Sequence, residues 1–144
     1  MSQPLIPIPQ AGLPLQGCVR HLDQRKIDRF GQVSGGVGAI HLDPEFGRTD
    51  TPFGSTLVQG YLLLGYLTQL MKDNFGPPWV SGGTMEARLI RPARAGDTVC
   101  TGGHIQEITV PNGSGQLVRC QAWVKNAAGE TLVAADTSFL WGGE

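Results

Sequence analysis

The amino-acid sequence predicts an α+β domain in which one apolar helix lies on one face of an antiparallel sheet. The first observation is the stretch 57–71, apolar at Leu57, Val58, Tyr61, Leu62, Leu63, Leu64, Tyr66, Leu67, Leu70 and Met71. A helix apolar almost all round is a buried one. The second is a change of period in the C-terminal half. Residues 84–90, 98–110, 116–126 and 131–141 alternate partially and read as four strands. The third is the chemistry of the separators: residues 92–97, the hairpin signal Asn112-Gly113, and Ala127-Ala-Gly129.

Residues 1–14 hold four of the ten prolines and read as an extended arm, available to pack on a neighbouring subunit. Residues 15–20 form a short strand. Asp23 is a good N-cap for a helix over 24–33, which places Ile27, Phe30 and Val33 on one face. Three glycines within 34–38 stop that helix. Residues 39–43 then run extended or turn, and Pro44 starts a brief helical turn with Glu45 and Phe46. The polar loop 47–55 has the composition of a connection, with a lid over a pocket as the alternative. After the apolar helix, Lys72 brings a positive charge to its C-terminal end, and Gly76-Pro-Pro lies beyond.

A chain of 144 residues suits a single domain over 1–144 with one core. Its net charge is −1 and its basic residues are scattered, which does not suit nucleic acid or a membrane surface. The apolar run is too short to span a bilayer. Cys18, Cys100 and Cys120 are far apart and lack metal-ligand spacing, so they read as reduced thiols of a cytoplasmic protein without a structural metal. The N-terminus has no basic segment and no long apolar run, unlike a signal peptide. Glycine-rich residues 34–38 follow a helix, which is the wrong order for a nucleotide loop, and no cofactor fingerprint is present.

Val33-Ser-Gly-Gly-Val-Gly-Ala-Ile-His41-Leu-Asp43-Pro, with Gly60 opening the apolar helix, resembles the MaoC-like dehydratase family, which includes the (R)-specific enoyl-CoA hydratases. That family carries Ser-Gly-Asp-x-Asn-Pro-Ile-His-x-Asp, and later a His-Gly that starts a long helix. Ser34, Gly35, Ile40, His41, Asp43 and Gly60 match the pattern. The likeness extends through Pro44-Glu-Phe46, Thr51-Pro-Phe-Gly54 and Arg91-Pro-Ala-Arg94-Ala-Gly-Asp97, and so across most of the chain. It implies a hotdog fold, a long buried helix wrapped by an antiparallel sheet, in at least a homodimer. Four positions depart from the pattern. Gly36 stands for the catalytic aspartate, Gly38 for the asparagine, Ala39 for the proline, and Gln59 for the helix-opening histidine.

Hydration of an enoyl thioester needs a base for water and an acid for the α-carbon. In the resembled family an Asp and a His five residues apart share this work and hold the water between them. His41 keeps its place as the catalytic candidate, but Gly36 offers no side chain to fix the imidazole's orientation and tautomer. The plainer alternative is a His41 satisfied by nearby backbone. Gly60 is the second catalytic candidate: the resemblance implies that its N–H polarises the thioester carbonyl, a task needing no side chain.

Substrate-binding candidates are Gly36, Gln59, Thr68, Asp43, Arg91 and Arg94. The amide of Gln59 can hydrogen-bond near the carbonyl. Thr68 stands where a hydratase relative has a substrate-proximal serine, although a buried hydroxyl often bonds its own preceding turn. Asp43 either caps the turn after Pro44 or, like Glu45, Asp50 and Asp28, replaces the missing acid. Arg91 and Arg94 suit the phosphates of coenzyme A or a phosphopantetheine arm, with solvated loop charges as the alternative.

Two readings follow. The chain is an acyl-thioester enzyme of the hydratase or dehydratase type, with chemistry altered toward isomerisation, cyclisation or hydrolysis, acting on a CoA or acyl-carrier-protein thioester. Alternatively it is a non-catalytic acyl-binding subunit that forms a heterodimer with a catalytically complete hotdog partner.

Overall fold

A computed structural model of the chain describes residues 2–111 and 113–142. The chain runs β1 (Pro14–Leu15), β2 (Val19–His21), α1 (Gln24–Ser34), α2 (Ala39–Leu42), α3 (Pro44–Thr49), α4 (Gly60–Phe75) and α5 (Pro77–Gly82). Strands β3 (Thr84–Leu89), β4 (Thr98–Thr109), β5 (Gln116–Asn126) and β6 (Thr131–Trp141) complete it. The strands form one antiparallel sheet in the order β1-β4-β5-β6-β3, with β2 also paired to β4. This is the hotdog fold, α4 lying against the sheet.

Alternation along the long strands builds the face that meets α4. Val118, Cys120, Ala122 and Val124 of β5 are buried while Arg119 and Gln121 face out. On β6, Leu132, Val133, Ala135, Thr137 and Phe139 are buried. Against them α4 sets Leu63, Leu67, Leu70, Met71 and Phe75, and the Phe75 and Phe139 rings lie 4.6 Å apart. Of the hairpin signal Asn112-Gly113, Asn112 lies outside the described residues.

Several local expectations change. The strand over 15–20 is two pieces broken around Gly17, where a Cβ would collide with the Thr101 carbonyl. Residues 39–42 form a one-turn helix, because the His41 and Leu42 N–H groups both donate to the Gly38 carbonyl. The long helix covers 60–75: Leu57 instead bridges to Arg94, and Gly76, with φ 68°, ends the helix. Its burial is one-sided within this chain, since Tyr61, Gly65, Thr68 and Lys72 are exposed. One sheet covers one side of a helix. Pro77 and Pro78 begin a further short helix rather than only ending the previous one.

The N-terminal arm folds onto its own chain. Leu5 and Ile6 N–H groups donate to the Asp73 and Asn74 carbonyls at 3.0 and 2.8 Å, and Ile6 is buried. Those bonds occupy carbonyls that the last turn of α4 leaves without helical partners. In α1, the Asp23 side chain accepts from the Lys26 N–H as an N-cap, and Ile27 is fully buried. Val33, expected on the same face, is 82% exposed because the helix end projects past the core.

Candidate active site

Four segments meet at the N-terminal end of α4. They are the end of α1, the glycine turn 35–38, α2, and the start of α4, with β3 closing the far side. Gly35, with φ 82°, caps α1 through its N–H to the Gly31 carbonyl, so the chain reverses where a side chain would be strained. The Ser34 hydroxyl donates to the Phe30 carbonyl and accepts from the Gly36 N–H. This turn delivers Gly36 opposite Gln59. Together they bound a cleft of about 900 Å³ lined by His41, Gly60, Tyr61, Phe30, Leu64 and Leu89 among others. The lining is mostly apolar and, among the described residues, contains no carboxylate.

His41 is half-buried, and its Nδ1 lies 2.8 Å from the Leu57 carbonyl oxygen. A carbonyl only accepts, so Nδ1 carries the proton and Nε2 of the neutral ring is bare. The partner that sets the tautomer, expected to be missing with the aspartate, is this backbone carbonyl. The plainer alternative is thus half present: His41 is bonded to backbone and also lines the cleft.

Gly60 is the first residue of α4, and Gln59, its N-cap, adds no side-chain bond. The first N–H groups of the helix therefore have no partner within it. A Cβ at position 60 would come within 2.8 Å of Leu89 Cδ1, so the glycine also makes room for β3. The Gln59 side chain, 4% exposed, donates from Nε2 to the carbonyls of Ile27 at 2.9 Å and Gly36 at 3.4 Å. Its Oε1 is buried and has no hydrogen-bond partner among the described residues. A Cβ at position 36 would lie 3.5 Å from Gln59 Cγ and 3.4 Å from Ser34 Oγ, which is ordinary contact.

The other candidates lie outside this cleft. Thr68 is exposed, and its hydroxyl donates to the Leu64 carbonyl one turn back. The Asp43 carboxylate caps α3, accepting from the Glu45 and Phe46 N–H groups. Glu45 pairs with Arg48 at 2.6 Å, Asp50 is exposed at the end of α3, and Asp28 accepts from the Gln24 side chain. Arg91 borders a smaller cavity of about 250 Å³ that shares Gly60 and Leu89 with the cleft, and it sits 3.6 Å from Glu130. Arg94 is exposed and lines neither cavity. Of the loop expected over 47–55, residues 47–49 belong to α3 and residues 50–55 do not line the cleft; the Thr51 hydroxyl donates to the Gly47 carbonyl. Among the described residues, no three His, Cys, Asp or Glu side chains are grouped to share a metal ion.

Phe30, Tyr61, Leu64, Ala87 and Leu89 line the cleft without having been singled out as site residues. Their only sequence signal is apolar character near a motif, which core residues share.

A hotdog domain with its histidine and its helix N-terminus in one cleft is the class this geometry defines. A family model for MaoC-like domains matches residues 11–126, and the chain belongs to the MaoC-like dehydratase family. Nodulation protein N from Rhizobium leguminosarum bv. viciae is 31% identical over 86 residues, covering 54% of this chain. The match takes in 52% of that protein, so the chain spans about half the length of its curated relative. R-hydratase PhaJ1 from Pseudomonas aeruginosa superposes with a TM-score of 0.78 at 22% identity, over 94% of this chain and 83% of that one. The ChsH1-ChsH2 complex from Mycobacterium tuberculosis gives 0.76 at 18% identity, over 95% of this chain and 100% of the matched one. At these identities the two structural likenesses concern the fold.

Proposed function

We propose that this chain is an acyl-thioester hydratase or dehydratase in which His41 is the single acid–base group. The observation that carries the reading is the Nδ1 bond to the Leu57 carbonyl, on a residue lining the same cleft as Gly60. With Nε2 bare, the imidazole takes a proton from water as the water oxygen bonds to the β-carbon of an enoyl thioester. The resulting imidazolium returns that proton to the α-carbon, so one group supplies both transfers. Negative charge that gathers on the thioester oxygen meets the N–H of Gly60. A single proton shuttle also serves isomerisation, cyclisation or hydrolysis of the same class of thioester.

The carrier is coenzyme A or an acyl-carrier protein, and the guanidinium of Arg91 beside Gly60 suits its phosphates. A second copy of the chain completes the cleft. Among the described residues the outer edge of β3 carries no neighbouring strand, and Tyr61, Leu89 and Ile90 are exposed apolar groups nearby. Sedimentation at micromolar concentration is expected to give a dimer, and a monomer contradicts this part of the reading.

The deciding experiment is hydration of a crotonyl thioester by the purified chain, followed by loss of enoyl absorbance. Turnover slower than ordinary hydratases is expected, with His41→Ala reducing it by about 10²–10⁴-fold while the melting curve stays in place. Equal rates for the two proteins remove His41 from the chemistry. The absence of a carboxylate from the cleft lining among the described residues favours a second reading, a subunit that binds acyl chains beside a catalytically complete hotdog partner. That reading predicts thioester binding without turnover until the partner is added.

A further inference from the structure

Gln24 lies outside the cleft, at the first position of α1, yet its side chain touches both segments that hold His41. Its Nε2 donates to the His41 carbonyl and to Asp28 Oδ1, each at 2.8 Å. Its Oε1 accepts from the hydroxyl of Thr56, a buried residue next to Leu57. Both amide protons and the oxygen are thereby used. The reversed amide would face two acceptors with its oxygen, so the orientation is fixed.

Leu57 is tied to α2 twice. Its N–H donates to the Ile40 carbonyl at 2.9 Å, and its carbonyl takes the His41 Nδ1 proton. The bonds close a ring: the Gln24 amide, the His41 carbonyl and imidazole, the Leu57 carbonyl, the adjoining Thr56 hydroxyl, and Gln24 again. Something outside α2 has to supply this order. A four-residue helix with no buried residue, entered from a glycine-rich turn, cannot hold its own geometry.

We infer that Gln24 is a positioning residue for His41. By clamping the His41 backbone and Thr56 together, it keeps the Leu57 carbonyl on Nδ1 and so keeps Nε2 available as the base. This rests on the proposed role of His41, but the tautomer can be read without any turnover. Asp28 fixes the roll of the amide through its second proton, a supporting part that an uncharged acceptor can also play.

The test compares Gln24→Met, similar in length but without hydrogen bonds, with the wild-type chain. At a pH where the ring is neutral, the ¹⁵N signals of His41 are expected to show one Nδ1-protonated tautomer in the wild type and an average of two in the variant. On a crotonyl thioester kcat should fall by up to about a hundredfold with a smaller change in KM. Thr56→Val removes the hydroxyl at constant shape and should move the tautomer the same way, whereas Thr56→Ser should not. That pair carries the comparison if Gln24→Met fails to fold. A folded Gln24→Met or Thr56→Val protein with the wild-type tautomer overturns the clamp. A wild-type chain that holds the Nδ1–H tautomer and hydrates nothing counts against catalysis by His41, and the ¹⁵N comparison still decides the role of Gln24.

Discussion

Asn74 and Gln59 are buried amides at opposite ends of α4, and the fold treats them differently. Asn74, with no exposed surface, donates to the Gln16 and Leu70 carbonyls and accepts from the Gln16 N–H. Gln59 has its two donor bonds and an acceptor oxygen left unpaired. Their surroundings follow the same division. Near Asn74 the helix is closed by the N-terminal arm, and Phe75 and Trp79 pack on Phe139. Near Gln59 it opens on the cleft, with Tyr61 79% exposed. One end of the helix has its buried amide fully paired within a single chain, although a cavity of about 540 Å³ borders Lys72, Asp73 and Gly76 there. The other leaves the first helical N–H groups without helical partners and the Gln59 oxygen unpaired among the described residues.

Changes to side chains of the closed end should cost stability, and changes at the open end should cost binding. Phe139→Ala is expected to destabilise by about 3–5 kcal/mol in chemical denaturation, because its ring contacts both Phe75 and Trp79. Tyr61→Ala should shift that transition by no more than about 0.5 kcal/mol, its effect falling on affinity for a non-reactive thioether analogue. Equal costs for the two aromatic truncations would erase the distinction. The amides sharpen it. Asn74→Leu strands the Gln16 N–H and carbonyl and should cost about 2–3 kcal/mol. Gln59→Leu loses two bonds but also removes an unpaired acceptor, so its cost should stay below about 1 kcal/mol. The opposite order would mean that the Gln59 amide is a structural tie first.

A smaller effect concerns the thiols. Burial on the inner face of β5 pushes the Cys120 thiol up to about 12, so it stays protonated where an exposed cysteine ionises. Alkylation at pH 8 is expected to label half-buried Cys18 and Cys100 before Cys120. Because the folded pKa is raised, the stability tied to this thiol is intact below pH 9 and declines as pH climbs toward 12. Cys120→Ala should flatten that decline in a series of denaturation curves.

The closed end was the legible one. Period-two alternation in β5 and β6 and the apolar face of α4 are written in side-chain letters, and burial reproduces them. At the open end the motif placed His41, Gly36, Gln59 and Gly60 around one cleft. What holds them had no letter to read. The Leu57 carbonyl that orients His41 belongs to every residue type, and Gln24 sits 17 positions away looking like a helix-start polar residue. The start of α4 was placed three residues early because Leu57 and Val58 are as apolar in an extended segment as in a helix. Pro77 read as a terminator, though proline suits a first helical turn equally well. Thr68 matched a family position, yet one-sided cover by the sheet leaves that face of the helix outward.

The central claim is that His41 is a lone acid–base group, slow because Gly36 puts no carboxylate beside it in the cleft. Gly36→Asp tests it most directly, since a Cβ there meets only ordinary contacts. Crotonyl-thioester hydration is measured for both proteins alongside their melting curves. The account predicts slow wild-type hydration and a partial gain of about ten- to a hundredfold in the variant, limited because Gln59 keeps its amide beside the new acid. Wild-type turnover matching ordinary hydratases, with no gain from the added carboxylate, would contradict it.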